Sequence, residues 1–388
     1  MKRIKVCHII TKLELGGAQQ NTLYTVGRLD RERFEPVLIS GKGGILDEEA
    51  LKLPGARTFF TSKLARRVCP ATDSMGLIML FFILRREKPE VVHTHSSKAG
   101  ILGRIAAWLA RVPVVIHTFH GFGFHELQIW PVRKLFILLE RMCAGMSDKL
   151  IVVSNKNTEK ALANGIGDPG KFTVIRSGIE ISKYRNLNVD KADIRKKLGI
   201  KSEETVITTI GPFKPQKNLD DFIKTADMVL KKKPDTVFLM IGDGELRPHI
   251  ELLIHSYNLS AKIILLGWRR DIPELLAVSD IFAMTSLWEG LPRSVLEAMC
   301  AGLPVVANAV DGVKEIVAEG KSGFLVKPHD NDAMSGFLLK LANDANLRKQ
   351  MGKFGRNLIN REYDIDFMVE QQEELYMSLL KQKGIISS

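Results

Sequence analysis

Short apolar, β-branched runs alternate with longer amphipathic stretches along most of the chain. In the first half these runs are Val6–Ile10, Val37–Ser40, Val91–His95, Val114–His117 and Leu150–Ser154. Runs of this length and composition suit strands buried on both faces of a parallel sheet. Helical patterning fills the intervals, as in Lys98–Arg111 and Arg133–Gly145. Residues 181–204 are polar and poor in strand signal, and read as a linker with a short helix. The rhythm then resumes with Val206–Ile210, Val237–Ile241, Ile263–Leu266, Ile281–Met284 and Val305–Ala307, and Gly323–Val326 adds a further strand. From about Asp332 the pattern is helical to Leu341, again through Asn360, and last from Asp366 to Lys383. Strand–helix alternation of this kind predicts doubly wound α/β sheets. The break divides the chain into a first domain over 1–180, a second over 181–365 and a terminal helix over 366–388.

Composition supports two domains and narrows the class. The 388 residues exceed what one core usually fills, and 45% are apolar and 26% charged, as in an ordinary globular protein. The four cysteines, Cys7, Cys69, Cys143 and Cys300, stand far apart with no CxxC pair, so a reduced, cytoplasmic setting is expected. The N-terminal apolar run is too short for a signal-peptide core. The longest apolar run, Leu77–Leu84, falls well short of the roughly 20 residues that span a bilayer.

The net charge of +12 is unevenly placed. Residues 1–190 carry 29 Lys and Arg against 17 Asp and Glu, which is the whole excess. The first half is therefore expected to meet something anionic. Zinc-finger spacing and RNA-binding signatures are absent, so no nucleic acid is expected. An acidic lipid surface or a phosphate-bearing acceptor fits better. The basic residues are Arg66, Arg67, Arg85, Arg86, Lys98, Arg104, Arg111, Arg133 and Lys134, with apolar Leu77–Leu84 and Phe136–Leu139 nearby. They suggest peripheral contact with an anionic membrane.

The strongest chemical signal is Glu289-Gly290-Leu291-Pro292-Arg293-Ser294-Val295-Leu296-Glu297. It follows a strand and opens a helix that Gly302 and Pro304 stop. Pro292 suits a first helical turn. The free N–H groups at such a helix start can hold a diphosphate, aided by the helix dipole. Glu297 sits one turn further on, where its carboxylate can accept hydrogen bonds from a ribose diol. Glu289 lies in the loop, placed to meet a sugar beyond the phosphates.

This segment, with the following Ala298-Met299-Cys300-Ala301-Gly302-Leu303-Pro304, resembles the retaining glycosyltransferases of family 4, which have the GT-B fold. The resemblance covers nearly the whole chain. It implies two Rossmann-like doubly wound domains facing a cleft, a nucleotide-sugar donor (a UDP-sugar favoured), and transfer of a hexosyl or N-acetylhexosaminyl unit. The implied acceptor is a saccharide or a polyprenyl-diphosphate-linked saccharide, as in cell-surface polysaccharide and lipopolysaccharide synthesis. It also implies that Glu297 binds the nucleotide ribose, that Glu289 contacts the donor sugar, and that the last helix crosses back onto the first domain.

Other elements follow in the family's order. Gly16-Gly17-Ala18-Gln19, after the first strand, matches the loop whose amides face the donor or acceptor. His120, in Thr118-Phe119-His120-Gly121, matches a histidine that reaches the donor sugar. In Gly211-Pro212-Phe213-Lys214-Pro215-Gln216-Lys217 the family has an Arg after the Gly and a Lys six residues on. Lys217 matches the Lys, Pro212 replaces the Arg, and Lys214 is the candidate substitute. Arg269 follows another strand and is a candidate base or diphosphate contact.

Five of the nine histidines lie within 93–125, and His93 and His95 share a strand face, which raises a metal site. No Cys or carboxylate completes a set nearby. His95 and Ser96 are instead expected to line the acceptor side. Asp330-Asn331-Asp332 and Asp364-Ile365-Asp366 match DxD strings but precede helices, where Asp caps. The expectation is catalysis with neither metal nor cofactor, the charge being met by helix amides and Lys217. Two other readings share the fold: a nucleotide-sugar 2-epimerase, and a non-catalytic sugar-nucleotide-binding module. An NAD-type fingerprint is missing from the first loop.

Overall fold

A computed structural model describes residues 3–65, 68–126 and 128–387. Arg66 and Arg67 lie outside the described residues. The chain forms two compact units, Met1–Gly178 with Ile365–Ser388, and Ile179–Asp364.

The first unit holds a parallel sheet of seven strands: β1 Ile4–Ile10, β2 Phe34–Gly41, β3 Arg57–Thr61, β4 Val91–His95, β5 Val114–Phe119, β6 Lys149–Val152 and β7 Phe172–Val174. Their order is β3-β2-β1-β4-β5-β6-β7. Five of these answer to the apolar runs. The edge strands β3 and β7 were not marked by them. β3 is only partly buried and β7 has just three residues, so neither carries a continuous apolar signal.

The second unit holds β8 Thr205–Ile210, β9 Thr236–Ile241, β10 Ile263–Gly267, β11 Ile281–Met284, β12 Val305–Asn308 and β13 Gly323–Val326, ordered β10-β9-β8-β11-β12-β13. All six strands were legible as apolar runs. Helices cover the sheets as the amphipathic stretches require. Leu219–Lys232 places Asp220 and Asp221 in its first turn and Lys231 and Lys232 in its last, each sign matching the helix dipole. Asp330 caps Asn331–Asn343 by accepting from the Ala333 N–H at 3.0 Å, so the first DxD-like string is a helix cap.

The supposed linker contains two short helices, Ile181–Arg185 and Lys191–Lys197. The last helix, Ile365–Gln382, belongs to the first unit. Its fully buried Tyr376 packs with Ile4, Val6, Phe34 and Val114. Tyr24 donates to Asp366 at 2.7 Å, and the Asp30 N–H donates to Glu373 at 2.7 Å.

In each sheet the order reverses beside a central strand, β1 next to β4 and β8 next to β11. Loops at the carboxyl ends of such strands diverge and leave a crevice for ligands.

Candidate active site

The second unit gathers its candidate residues at the carboxyl ends of β8, β11 and β12. Gly211 follows β8, and a Cβ there would lie 2.7 Å from Lys217 Cε, so a side chain would displace the lysine. A Cβ on Gly242, after β9, would sit 2.0 Å from the Gly211 carbonyl oxygen. These two positions let the β8 and β9 loops touch backbone to backbone.

The chain then turns through Pro215–Lys217, with Asn218 in the left-handed region at φ 47°, and enters Leu219–Lys232. This turn aims Lys217 at Glu289, Nζ to Oε1 at 2.5 Å, both side chains being largely buried. The loops are laced together around the pair. The Glu289 N–H donates to Asp311 Oδ2 at 2.8 Å. Thr285 Oγ1 donates to the Lys217 carbonyl at 2.9 Å, Gln216 Nε2 to the Trp288 carbonyl at 2.7 Å, and Asn308 Nδ2 to the Thr285 carbonyl at 2.8 Å. A buried charge pair held this way is rigid, and opening it exposes a cation to any anion that takes its place. Asp311, at φ 35°, had no sequence signal beyond its place after β12.

The helix after Glu289-Gly290-Leu291-Pro292 runs Arg293–Cys300, and Pro292 is its N-cap with extended backbone. The helix therefore starts one residue later than Pro292 in a first turn would require. Leu291 is buried. Glu297 is buried too, with Arg293 Nη2 3.5 Å from its Oε1. Burial raises its carboxyl pKa, outweighing Arg293 and a hydrogen bond from Tyr184, which both lower it. Tyr184 sits on Ile181–Arg185, inside the stretch read as linker, and its own hydroxyl pKa is pushed up by burial and then by Glu297. The apolar spacing of that short helix gave no hint that it packs on Arg293–Cys300.

Lys214 precedes the Pro215–Lys217 turn. Arg269 is forked onto Asp271 of its own loop, Nε to Oδ1 at 2.8 Å, with Nη2 on Oδ2. Its strand, β10, is the sheet edge, separated from β11 by β9 and β8. The structure thus brings Gly211, Lys217, Glu289 and the Pro292 helix start together, and leaves Arg269 engaged at the edge.

In the first unit, the candidates follow β1, β4 and β5, again neighbours. Gly16 is the N-cap of Gly17–Arg28, and Gly17 its first residue. Ser96 has φ 61° and ψ 157°, a conformation that few residues other than glycine adopt. It is held by Thr11, Oγ to Oγ1 at 2.7 Å. His95 is only 2% exposed. Buried as it is at the end of β4, it still borders the small pocket beside His120. His120 follows β5 and is half-buried. Burial pushes its pKa down to about 4. A small pocket beside it is lined by Asn21, His95, Thr118, Ser177 and Gln372. Both amide atoms of Asn21 are buried without a partner among the described residues.

Arg104, counted among the basic surface residues, is fully buried and bonded to Glu140 at 2.5 Å. Lys98 is bound to Asp73. Neither is a free surface cation.

Comparison with known proteins shows the family. Residues 15–183 match the family described as Glycosyltransferase Family 4, and residues 190–358 match Glycosyl transferases group 1. The chain is 36% identical over 385 residues to the UDP-Gal:alpha-D-GlcNAc-diphosphoundecaprenol alpha-1,3-galactosyltransferase of Escherichia coli, covering 98% of each. It is 23% identical to the Staphylococcus aureus capsular polysaccharide biosynthesis glycosyltransferase CapM, over 82% of this chain and 84% of that one. Among solved structures, Anabaena Alr3699/HepE in complex with UDP and glucose superposes with a TM-score of 0.81 at 20% identity, over 97% of this chain and 100% of that chain.

Proposed function

The chain belongs to glycosyltransferase family 4, and from that premise we propose that it transfers galactose from UDP-galactose to a polyprenyl-diphosphate-linked saccharide, with retention at the anomeric carbon. The observation that carries the donor site is the Lys217–Glu289 pair beside the helix start at Pro292, with Glu297 one turn on. The 36% relative supports the choice of sugar and acceptor.

The chemistry follows from these side chains. The uridine ribose is held by Glu297, which Tyr184 and Arg293 orient. The diphosphate lies against the N–H groups at the start of Arg293–Cys300. Lys217 leaves Glu289 for the phosphate, and Glu289 is released to the sugar hydroxyls. The bond between the anomeric carbon and the phosphate oxygen breaks as the acceptor hydroxyl attacks from the same face. The acceptor proton passes to the leaving phosphate oxygen, and UDP departs with charge neutralised by Lys217 and the helix dipole. His120 hydrogen-bonds the donor sugar. Neither metal nor cofactor has a step in this scheme.

Access to a lipid-linked acceptor rests on the first unit. Trp130–Gly145 exposes Trp130, Leu135, Leu138 and Met142, and Pro70–Glu87 exposes Met75, Ile78 and Phe82. Ser97–Leu109, with Trp108 and Leu109 exposed, packs against both helices. Lys134 lies 3.9 Å over the Trp130 ring, and Arg85 and Arg86 are exposed. Apolar side chains rimmed by cations suit an anionic membrane surface. No helix among the described residues is long and apolar enough to cross a membrane.

The test is transfer from UDP-[14C]galactose to a synthetic GlcNAc-diphosphopolyprenol, beside UDP-glucose, UDP-GlcNAc and GDP-mannose, with and without EDTA. Labelled lipid product from UDP-galactose alone, insensitive to chelation, is the expected result. Loss with EDTA refutes metal independence. A changed sugar nucleotide formed without acceptor would instead mean epimerisation.

A further inference from the structure

Strands β1, β4 and β5 bring three imidazoles into a row. His8 Nδ1 lies 3.1 Å from His95 Nε2, and His95 Nδ1 lies 3.1 Å from His120 Nε2. The His8 and His95 rings are within 8° of parallel. The row starts at His8, fully buried within β1, and ends at half-buried His120. The chain positions of these residues, 8, 95 and 120, give no hint of it.

His93 flanks the row without joining it. Its Nδ1 is bonded to the Tyr376 hydroxyl at 2.6 Å and its Nε2 to the Thr118 hydroxyl at 2.7 Å. The ligand atoms of His8, His93 and His95 lie within 4.8 Å of one another, a spacing a metal could bridge. All four nitrogens of His93 and His95 are nevertheless already hydrogen-bonded.

All three rings of the row are neutral at physiological pH. Burial pushes His8 down to about 3 and His120 to about 4, and holds His95 well below its ordinary value. Each ring then carries a single N–H. His95 must donate to one neighbour and accept from the other, so only two arrangements keep both bonds. In one, His8 Nδ1–H donates to His95, His95 Nδ1–H donates to His120, and His120 carries its hydrogen on Nδ1. In the other, every hydrogen sits on Nε2.

The buried end distinguishes them. His8 Nε2 is buried with no hydrogen-bond partner among the described residues. The second arrangement strands an N–H there, and orphaned buried N–H groups are rarer than under-satisfied acceptors. The first leaves only a lone pair.

We propose that His8 and His95 are positioning residues that fix His120 as its Nδ1–H tautomer, so that its outer nitrogen offers a hydrogen to an oxygen of the donor sugar. The proposal rests on His120 as a sugar contact. A solvated neutral imidazole favours the Nε2–H form, so without the row His120 would offer an acceptor in that place much of the time. A donor that must first change tautomer, or wait for the right one, binds its partner less well.

The experiment is long-range 1H–15N correlation on histidine-labelled full-length protein, which reports the tautomer of each ring. His120→Ala, His8→Phe and His8→Asn provide assignments. The expected wild-type result at pH 7.5 is Nδ1–H at His120 and at His95. His8→Phe removes the buried donor and shifts His120 toward Nε2–H. In His8→Asn the amide Nδ2–H stands where the imidazole Nδ1–H stood, so His120 keeps its tautomer. The donor kcat/KM falls about fivefold in His8→Phe, the worth of one neutral hydrogen bond, and recovers in His8→Asn.

Nε2–H at His120 in the wild type overturns the proposal, and that reading needs no variant to fold. An unchanged His120 spectrum in folded His8→Phe also overturns it, as do Zn2+-induced shifts of the His8, His93 and His95 rings. Undiminished donor kinetics in His120→Ala overturn the sugar contact itself, a failure that the wild-type spectrum separates from the first.

Discussion

Glu297→Gln separates binding from folding at one residue. The side chain is buried, and its raised pKa means that the surroundings disfavour the carboxylate despite Arg293 and Tyr184. The folded chain therefore holds this proton to a higher pH than the unfolded chain does. The group's contribution is most favourable at low pH and declines as pH rises through its folded value. A neutral amide of the same shape does not suffer that decline. At pH 7.5 the ligand-free variant should be as stable as the wild type or more so. Binding should change the other way. A carboxylate accepting from both ribose hydroxyls makes two charge-assisted bonds, each worth about 1.5–3 kcal/mol. The amide keeps one uncharged acceptor worth about 1 kcal/mol, so the loss is at least about 2 kcal/mol, or roughly 30-fold or more in Kd. Titration calorimetry with UDP, beside urea unfolding of the ligand-free protein, measures both. A Kd within about twofold of wild type would refute the ribose contact. Destabilisation of the free protein by more than about 1 kcal/mol would refute the electrostatic argument.

Lys217→Met should lower kcat about 100-fold, the usual cost of removing one group that meets developing charge, with UDP release as the assay. If kcat holds and only KM rises, Lys217 serves binding alone. Stability of the first unit should fall as pH drops below about 6.5, because burial lowers the pKa of His8, His93, His95, His117 and His120 while the unfolded chain takes up their protons. Each ring contributes up to about 1.4 kcal/mol per pH unit, and urea midpoints at pH 7, 6 and 5 that do not move would contradict their burial. Trp130→Ala with Leu138→Ala should release the protein from vesicles containing phosphatidylglycerol while leaving UDP-induced thermal stabilisation unchanged. Wild-type protein that does not sediment with the vesicles would refute the proposed membrane contact, and equal binding of variant and wild type would refute its assignment to these two side chains. Gly242→Ala should disrupt the Gly211 loop, since its Cβ would meet a carbonyl oxygen at 2.0 Å, and UDP-induced thermal stabilisation reports the loss.

The repeating apolar runs specified eleven of the thirteen strands among the described residues, because a strand buried on both faces must be apolar along its length. β3 and β7 escaped because β3 (RTFFT) is only partly buried and mixes polar with apolar residues, and β7 has just three residues. The Glu289–Glu297 segment was equally legible, because a loop that opens a helix keeps its chemistry within a few consecutive residues. Apolar runs were less informative about which faces stay uncovered. Phe136 and Ile137 turn inward while Leu138 is exposed, a division set by what the helix packs against.

The sequence alone therefore determined the two-sheet architecture, the family and the local motifs, all of which depend on residues close together in the chain. Tertiary structure alone decided which charges and rings meet. Lys217 finds Glu289 across 72 residues, His8 finds His95 across 87, and Tyr184 reaches Glu297 from a stretch with no strand pattern. Side-chain periodicity reports which face of an element is buried. Whether a polar group on that face is stranded, paired or neutralised depends on the neighbouring strand or helix, and sheet order fixes that neighbour only when the chain has folded.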